Sequence, residues 1–573
     1  MATRAPSPSI FIAASKNWPE AYVTFPIAER QQTQCKRLSL TTLRLLFMRL
    51  QSKPYVCLAT LLSFVAALGV VPALDAQDAA PPSQAPLTLH VSTQIVLLDI
   101  SVTDKSGKPV NNLKPEDFTI LEDKVPQRMR SFEPPSAHHM PAADMGKMVV
   151  TSAADLKKIG DAPTTVLVMD EMNTAFSDMT YSRYCLNKYL DAQPAIMPQP
   201  TVLLVATDTR FEVVHDYTQD REALRESLKK YMPSLPAKMM RSNGGASGAE
   251  RMSNTLGALY QIAKASGGTP GRKTIIWVGT GFPNFDVLQM SAVVADAVQS
   301  AMKRITQTLL ESHVTLFTID PTVNLSSVAP METPEDLQNA EDQSDGQPYS
   351  DQIKFSTLAP ATGGTALFSR NDIDKEVATS IEQGSNYYTV SYSPTDKNPD
   401  VNLYRRIRVV LKDPSLTVVT RDGYYPRVSD TPNPFAIPNM QPQEAHAQLK
   451  MDITTAAMSD MSFDGINVVA QRKDPANFKL TIPLKDLNWS DTANNLHQAE
   501  ISVVVVAFSN KNKTLGHFGT ELVARTAGDP TQNGDSLAAF AVPYNLPANT
   551  TRIRFVVRDA VSGKIGTVEL TNP

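Results

Sequence analysis

The stretch Thr165–Thr174 reads TVLVMDEMNT, five apolar or β-branched residues that run unbroken into Asp170, Glu171, Asn173 and Thr174. An apolar run of that length, with no alternation, marks a strand buried on both faces, as in a parallel sheet covered by helices. Further out the same unit recurs in TVLLVAT (201–207), KTIIWV (273–278) and VTLFTI (314–319), with shorter strands at 212–215 and 365–368. Between them lie helical stretches. Residues 177–190 carry Tyr181, Cys185, Leu186 and Tyr189 at helix spacing, and DREALRESLKKY (220–231) has Asp220 as a natural N-cap. Helices are also expected at 251–266, 287–312 and 372–381. Strands alternating with helices predict a Rossmann-like domain over 162–384, a mostly parallel sheet with helices on both faces. The acidic stretch 324–352 is expected to be a surface loop.

The flanks read as β structure. Before the α/β domain come LTLHVSTQIVLLDISV (87–102), a polar turn around Asp104 and Gly107, and strands at 118–122 and 128–132. After it come strands at 386–393, 404–411 and 416–420. Three strands rarely stand alone, so 385–427 is expected to pair with 87–135 as one β-sandwich with the α/β domain inserted. A proline-rich linker (428–447) leads to an all-β domain at 448–573. Its strands at 478–482, 499–508, 521–526, 539–543 and 551–558 suggest an immunoglobulin-like C-terminal sandwich. The fold class is therefore multidomain α/β plus β.

Composition narrows the function. Of 573 residues 42% are hydrophobic and 20% charged, near the globular average, which excludes wholesale disorder. With 54 basic and 58 acidic side chains there is no basic excess to favour a nucleic-acid partner. YVCLATLLSFVAALGVV (55–71) follows Arg49 and Lys53 and precedes PALDA, the pattern of a secretory signal peptide with cleavage expected after Ala76. An uncleaved anchor is the alternative, and Met48 is the alternative start. Residues 1–76 hold 8 basic and 3 acidic side chains, so their loss leaves 46 and 55 and a net charge of −9. Only Cys185 remains of three cysteines, which suits an exported bacterial protein without disulfides, periplasmic or extracellular. Prolines are concentrated in the linkers, 77–86, 134–163 and 429–447.

In open parallel sheets ligands bind at the carboxyl ends of the strands. There the segment Asp170-Glu171-Met172-Asn173-Thr174 resembles the von Willebrand factor type A domain, whose first strand ends in D-x-S-x-S and holds a divalent cation. The resemblance implies a metal-ion-dependent adhesion site with Asp170, Thr174 and Thr255 as ligands to Mg2+ or Ca2+, with Glu171 and Asp208 as helpers. It is a degenerate site, because Met172 replaces a serine and Gly279-Thr280-Gly281 stands where the family has an aspartate. The order of Val102–Val110, Asp117-Phe118, Leu121–Asp123, Gly271-Arg272-Lys273, Gly281-Phe282-Pro283, Ile319-Asp320, Thr362-Gly363-Gly364, Tyr387-Tyr388 and Arg421–Tyr425 is similar to the acidobacterial VWFA-related domain family over about 90–426. That resemblance implies an exported protein of undefined activity.

No HExxH, G-x-S-x-G, P-loop or C-x-x-C occurs. His138-His139 reads as a solvated linker, Cys185 as core, and SNGGASG (242–248) as a flexible loop. One tyrosine of each pair, Tyr387-Tyr388 and Tyr424-Tyr425, is expected inside and one outside. The expected function is non-enzymatic protein binding or scaffolding in the envelope, with envelope or extracellular proteins as partners. The binding rim is expected at Phe176, Asp208, Arg210, Thr280, Phe282 and Phe285, with the three phenylalanines as exposed anchors. The alternatives are a metal-dependent hydrolase centred on Asp170 and a self-assembling structural component.

Overall fold

The computed structural model describes residues 11–15 and 95–573, save 141–148, 208–210, 233–244, 323–347, 350–351, 369–371, 397–399, 401–402, 427–441, 493–495, 528–529 and 531–535. The expected signal peptide, the linker at 77–86, Asp208, Arg210 and most of the acidic stretch and proline-rich linker lie outside the described residues. Among the described residues no helix is long and apolar enough to cross a membrane.

Six strands form the central sheet: β1 Thr164–Asp170, β2 Ile196–Ala206, β3 Phe211–Asp220, β4 Lys273–Val278, β5 Val314–Asp320 and β6 Ala366–Phe368. Their order is β6-β5-β4-β1-β2-β3. All neighbours are parallel except β2 and β3, whose connection is too short for a crossover. The helices are α1 Phe176–Asp191, α2 Arg221–Lys230, α3 Gly245–Ala265, α4 Ala292–Glu311 and α5 Ile373–Ser385. All seven residues of β1 are buried. Val166 and Val168 join the core under α3 and α4, while Leu167 and Met169 join the one under α1 and α5. Burial on both faces is why the run tolerates no alternation. At the start of α2 the Asp220 carboxylate accepts from the backbone N–H of Glu222 and Ala223.

The strands around this domain close on each other. Val96–Thr103 pairs antiparallel with Tyr388–Tyr392 and Thr417–Val419, and Phe118–Glu122 pairs with Arg405–Leu411. Two four-stranded sheets enclose one core. Glu122, 3% exposed, ties the two strand sets together. Its Oε2 accepts from Tyr392 Oη at 2.6 Å and Tyr424 Oη at 3.1 Å, and Arg405 Nε lies 3.7 Å from Oε1. Glu122→Gln removes the charge from these bonds and is expected to cost about 1–2 kcal/mol. The check is faster amide exchange across 388–392 and 405–411, with the central sheet unchanged.

The C-terminal part corrects two expectations. The proline-rich linker 428–447 ends in a helix, α6 Pro442–Met458, so 448–573 is not all-β. Beyond α6, three strands (469–474, 477–483, 537–543) and a larger sheet built on Leu496–Phe508, Thr514–Thr526, Arg552–Asp559 and Ile565–Thr571 form a β-sandwich around one core. Phe11–Ser15 adds an antiparallel strand along Glu521–Arg525. The sandwich is not a separate bead, because Ala456, Phe463 and Val556 share a core with Leu259 and Ile262 of α3. Asp452 of α6 accepts from Tyr260 Oη and, at 2.7 Å, from Arg558 Nε.

Four smaller expectations also change. His138 is buried, stacked 4.4 Å from the Tyr387 ring, rather than solvated. Tyr387 and Tyr388 are both buried, because Tyr387 precedes the strand and packs between His138 and Arg272. Residues 245–248 begin α3 rather than a loop. At the end of the acidic stretch Tyr349 is buried against Thr306, and Gln352–Ile353 pairs with Phe285–Asp286.

Candidate site at the carboxyl ends of the sheet

The helix after β1 packs on one face of the sheet and the helix after β4 on the other. Their departure in opposite directions opens a crevice between the two strand ends. Asp170 closes β1 at this point, fully buried. Its Oδ1 accepts from Asn173 N at 3.0 Å, and its Oδ2 from Trp277 Nε1 at 3.1 Å and Gly281 N at 3.0 Å. The Asn173 side-chain nitrogen lies 3.1 and 3.0 Å from the two carboxylate oxygens. Burial pushes the Asp170 carboxyl up to about 6, and the bonds from Asn173, Trp277 and Gly281 oppose that rise.

The loop after β4 is shaped to reach this carboxylate. Gly279 has φ +149°, and a Cβ there would lie 2.4 Å from the Asp170 Cβ. Gly281 has φ +65°, and a Cβ there would meet the Phe355 ring at 2.2 Å. Only glycine permits both the backbone angles and the approach. Thr280 N donates to Thr174 Oγ1 at 3.1 Å, and Thr280 Oγ1 donates to the Asn173 carbonyl at 2.8 Å. Thr255, on α3, donates to the Arg251 carbonyl at 2.9 Å and accepts from Asn173 Nδ2 at 3.1 Å.

The three residues assigned to a cation, Asp170, Thr174 and Thr255, are thus brought together, but as a hydrogen-bonded cluster. A hard cation needs several oxygen lone pairs turned toward one centre. Here Asn173 Nδ2 stands among the oxygens, within 3.1 Å of both Asp170 oxygens and of Thr255 Oγ1. Met172 is buried and apolar, and Gly279 offers no side-chain oxygen. Glu171 is turned to Tyr231 Oη, which donates to it at 3.0 Å. The donor set does not fit Mg2+ or Ca2+. Among the described residues no group of three or more His, Cys, Asp or Glu is placed to hold a metal ion. Asp170 has no exposed surface, so its carboxylate joins the loop after β4 to the end of β1.

At the rim, Phe176 is 46% exposed and Thr280 and Phe285 are half-buried. Phe282 is 2% exposed, which corrects its assignment as an anchor. The left-handed turn at Gly281 directs it inward, where its ring meets Phe355 at 5.5 Å and Phe285 at 6.3 Å. Other apolar side chains take its place. Leu288 (79% exposed), Val293 (81%) and Val294 follow the end of β4, Phe368 ends β6, and Met232 follows Tyr231, whose hydroxyl reaches Glu171. Asn173 and Trp277 are the residues that sequence reasoning passed over. Asparagine three residues after an aspartate is a common partner in a local side-chain turn, which is a usable signal. For Trp277 the sequence has none, since nothing local aims its indole at Asp170.

No protein-family model matches the chain, and no curated protein matches it. Among solved structures it is similar to a mutant of the PilB minor pilin from Streptococcus sanguinis, at 9% identity over 39% of this chain and 61% of that one, with a TM-score of 0.23. It is also similar to the SpRpn10 VWA domain, at 12% identity over 38% and 93% of the two chains (TM-score 0.20). A third is the TFIIH p34 N-terminal domain, at 11% identity over 28% and 80% (TM-score 0.18).

Proposed function

We propose that the chain is an exported, non-enzymatic protein-binding scaffold. Its α/β domain is of the von Willebrand factor A type, its C-terminal sandwich is immunoglobulin-like, and its partner docks on the carboxyl-end rim without a divalent cation. The observation that carries this reading is that Phe176, Met232, Leu288, Val293, Val294 and Phe368, on segments that reach one end of the sheet, are each exposed. Exposed apolar patches at the loop end of a rigid scaffold mark interaction sites. The engaged state of Asp170 supports binding over hydrolysis.

The experiment is site-specific photo-crosslinking in the envelope of the producing cell, with the probe at Phe176 or Leu288 and a control probe at the exposed Leu537 of the C-terminal sandwich. Discrete adducts are expected from the first two positions only, unchanged by EDTA. Phe176→Ala with Leu288→Ala is expected to weaken capture at least tenfold, about 1.4 kcal/mol or more. Equal crosslinking from all three positions, or adducts that vanish with EDTA, would refute the reading.

A further inference from the structure

The C-terminal sandwich leaves one of its edges to a segment that the leader carries. Its larger sheet ends at Ile565–Thr571 on one side, and on the other Thr514–Thr526 is followed only by Phe11–Ser15. The first edge is closed by nearby chain, for Thr567 N donates to Phe463 O at 2.9 Å and Asp464 bridges to Gly566. Along the second, Phe11–Ser15 runs antiparallel, from Phe11 opposite Arg525 to Ser15 opposite Glu521. Those residues lie upstream of Met48 and of the expected cleavage after Ala76. A chain that begins at either place lacks them, and the backbone groups along Glu521–Arg525 then need another partner.

The sequence of this edge is self-complementary. Leu522 and Ala524 lie in the sandwich core, so alternation sets Glu521, Val523 and Arg525 on the other face. Glu521 and Arg525 are exposed and opposite in charge. Antiparallel pairing of two copies about a two-fold axis at Val523 sets Glu521 of each opposite Arg525 of the other. Leu522 then meets Ala524 and Thr520 meets Thr526, core position against core position, so the sheet continues across the axis. Other registers lose this match. An axis at Glu521 or Arg525 sets like charges face to face, which destabilises the pair. An axis at Leu522 or Ala524 leaves both charges opposite neutral residues, and a one-residue slip sets core positions opposite solvent positions.

We infer that the Thr514–Thr526 edge is a dimer interface, covered by Phe11–Ser15 while the leader is present and paired with a second copy once it is gone. The inference uses none of the rim residues. Its test is sedimentation equilibrium of the chain from Gln77, which keeps every described residue except Phe11–Ser15 and supplies the open edge whether or not the protein is exported. Twice the monomer mass is expected, at concentrations up to about 0.1 mM. Arg525→Glu is expected to weaken the dimer at least tenfold, and Arg525→Glu with Glu521→Arg to restore it. Val523→Cys places its thiol opposite itself across the axis, close enough for a disulfide. Oxidation is expected to link that variant and to leave Glu521→Cys, opposite Arg525, unlinked. In the full chain with Cys35→Ser and Cys57→Ser, Val523→Cys is expected to stay unlinked because Phe11–Ser15 covers the edge. A monomeric chain from Gln77, a dimer unmoved by Arg525→Glu, no rescue by the double reversal, or equal linking in the full chain would overturn the inference.

Discussion

Asp170→Ala is expected to destabilise the α/β domain by about 3–5 kcal/mol, the largest single effect we foresee from a non-glycine position. The carboxylate is the common acceptor of Asn173 N and Nδ2, Trp277 Nε1 and Gly281 N. Its removal leaves these donors buried and unpaired at about 1–3 kcal/mol each, with relaxation and entering water reducing the total. Asp170→Asn keeps one acceptor oxygen and is expected to cost less, about 1–2 kcal/mol. The two variants separate the bonds from the charge. The native carboxyl titrates near 6, above its unfolded value of 3.8. Between those values the native state binds more protons than the unfolded one, so stability falls as pH rises through the window and is level above it. The full span is about 3 kcal/mol at 1.36 kcal/mol per pH unit. The wild type is thus expected to be more stable at pH 4.5 than at pH 7.5 in this domain, and Asp170→Asn is expected to lose that slope. Urea unfolding followed by Trp277 emission reads both, because the indole donates to this carboxylate. A slope retained in Asp170→Asn would show that another group sets it.

How far the sequence foretells this site depends on the range of the interactions. Unbroken apolar strands announce burial on both faces, so β1, β4 and β5 are legible within a residue or so. The pairing of Tyr388–Tyr392 with Val96–Ile100 is legible by elimination, because strands too few to close must find others. The helix α6 is not, since its partners on α3 lie about 200 positions away and its own pattern is weak. Phe282 misleads for a different reason. A phenylalanine in a glycine- and proline-rich loop reads as a tip, but the positive φ of Gly281 turns it inward. The stacking of His138 on Tyr387 has no local trace at all. At the centre of the site, the position of Asp170 at a strand end is plain from the sequence. What faces it depends on which of several nearby polar groups reaches it first, and only the fold decides that.

That contest leads to the second large effect, at Asn173. Its amide nitrogen joins three oxygens from two elements, both of Asp170 and the hydroxyl of Thr255 on α3. A neutral amide there costs little desolvation compared with a divalent ion, and it comes already attached to the chain, so no free-ligand concentration sets its occupancy. The wild-type domain is therefore expected to unfold at the same urea concentration in EDTA, in millimolar Mg2+ and in millimolar Ca2+. Asn173→Ala removes the Nδ2 bonds and uncouples α3 from the end of β1, with an expected loss of about 2–3 kcal/mol. It also frees lone pairs on Asp170 and Thr255 around the space the amide filled. If the amide holds the place of a cation, Asn173→Ala alone will respond to divalent ions, with Mg2+ or Ca2+ restoring part of the loss and EDTA reversing it. Asn173→Ser combined with Met172→Ser adds two hydroxyl oxygens and is expected to strengthen that response. A variant as indifferent to cations as the wild type would show that the oxygens do not converge even when released, and that the cluster is a loop clasp with no relation to metal binding.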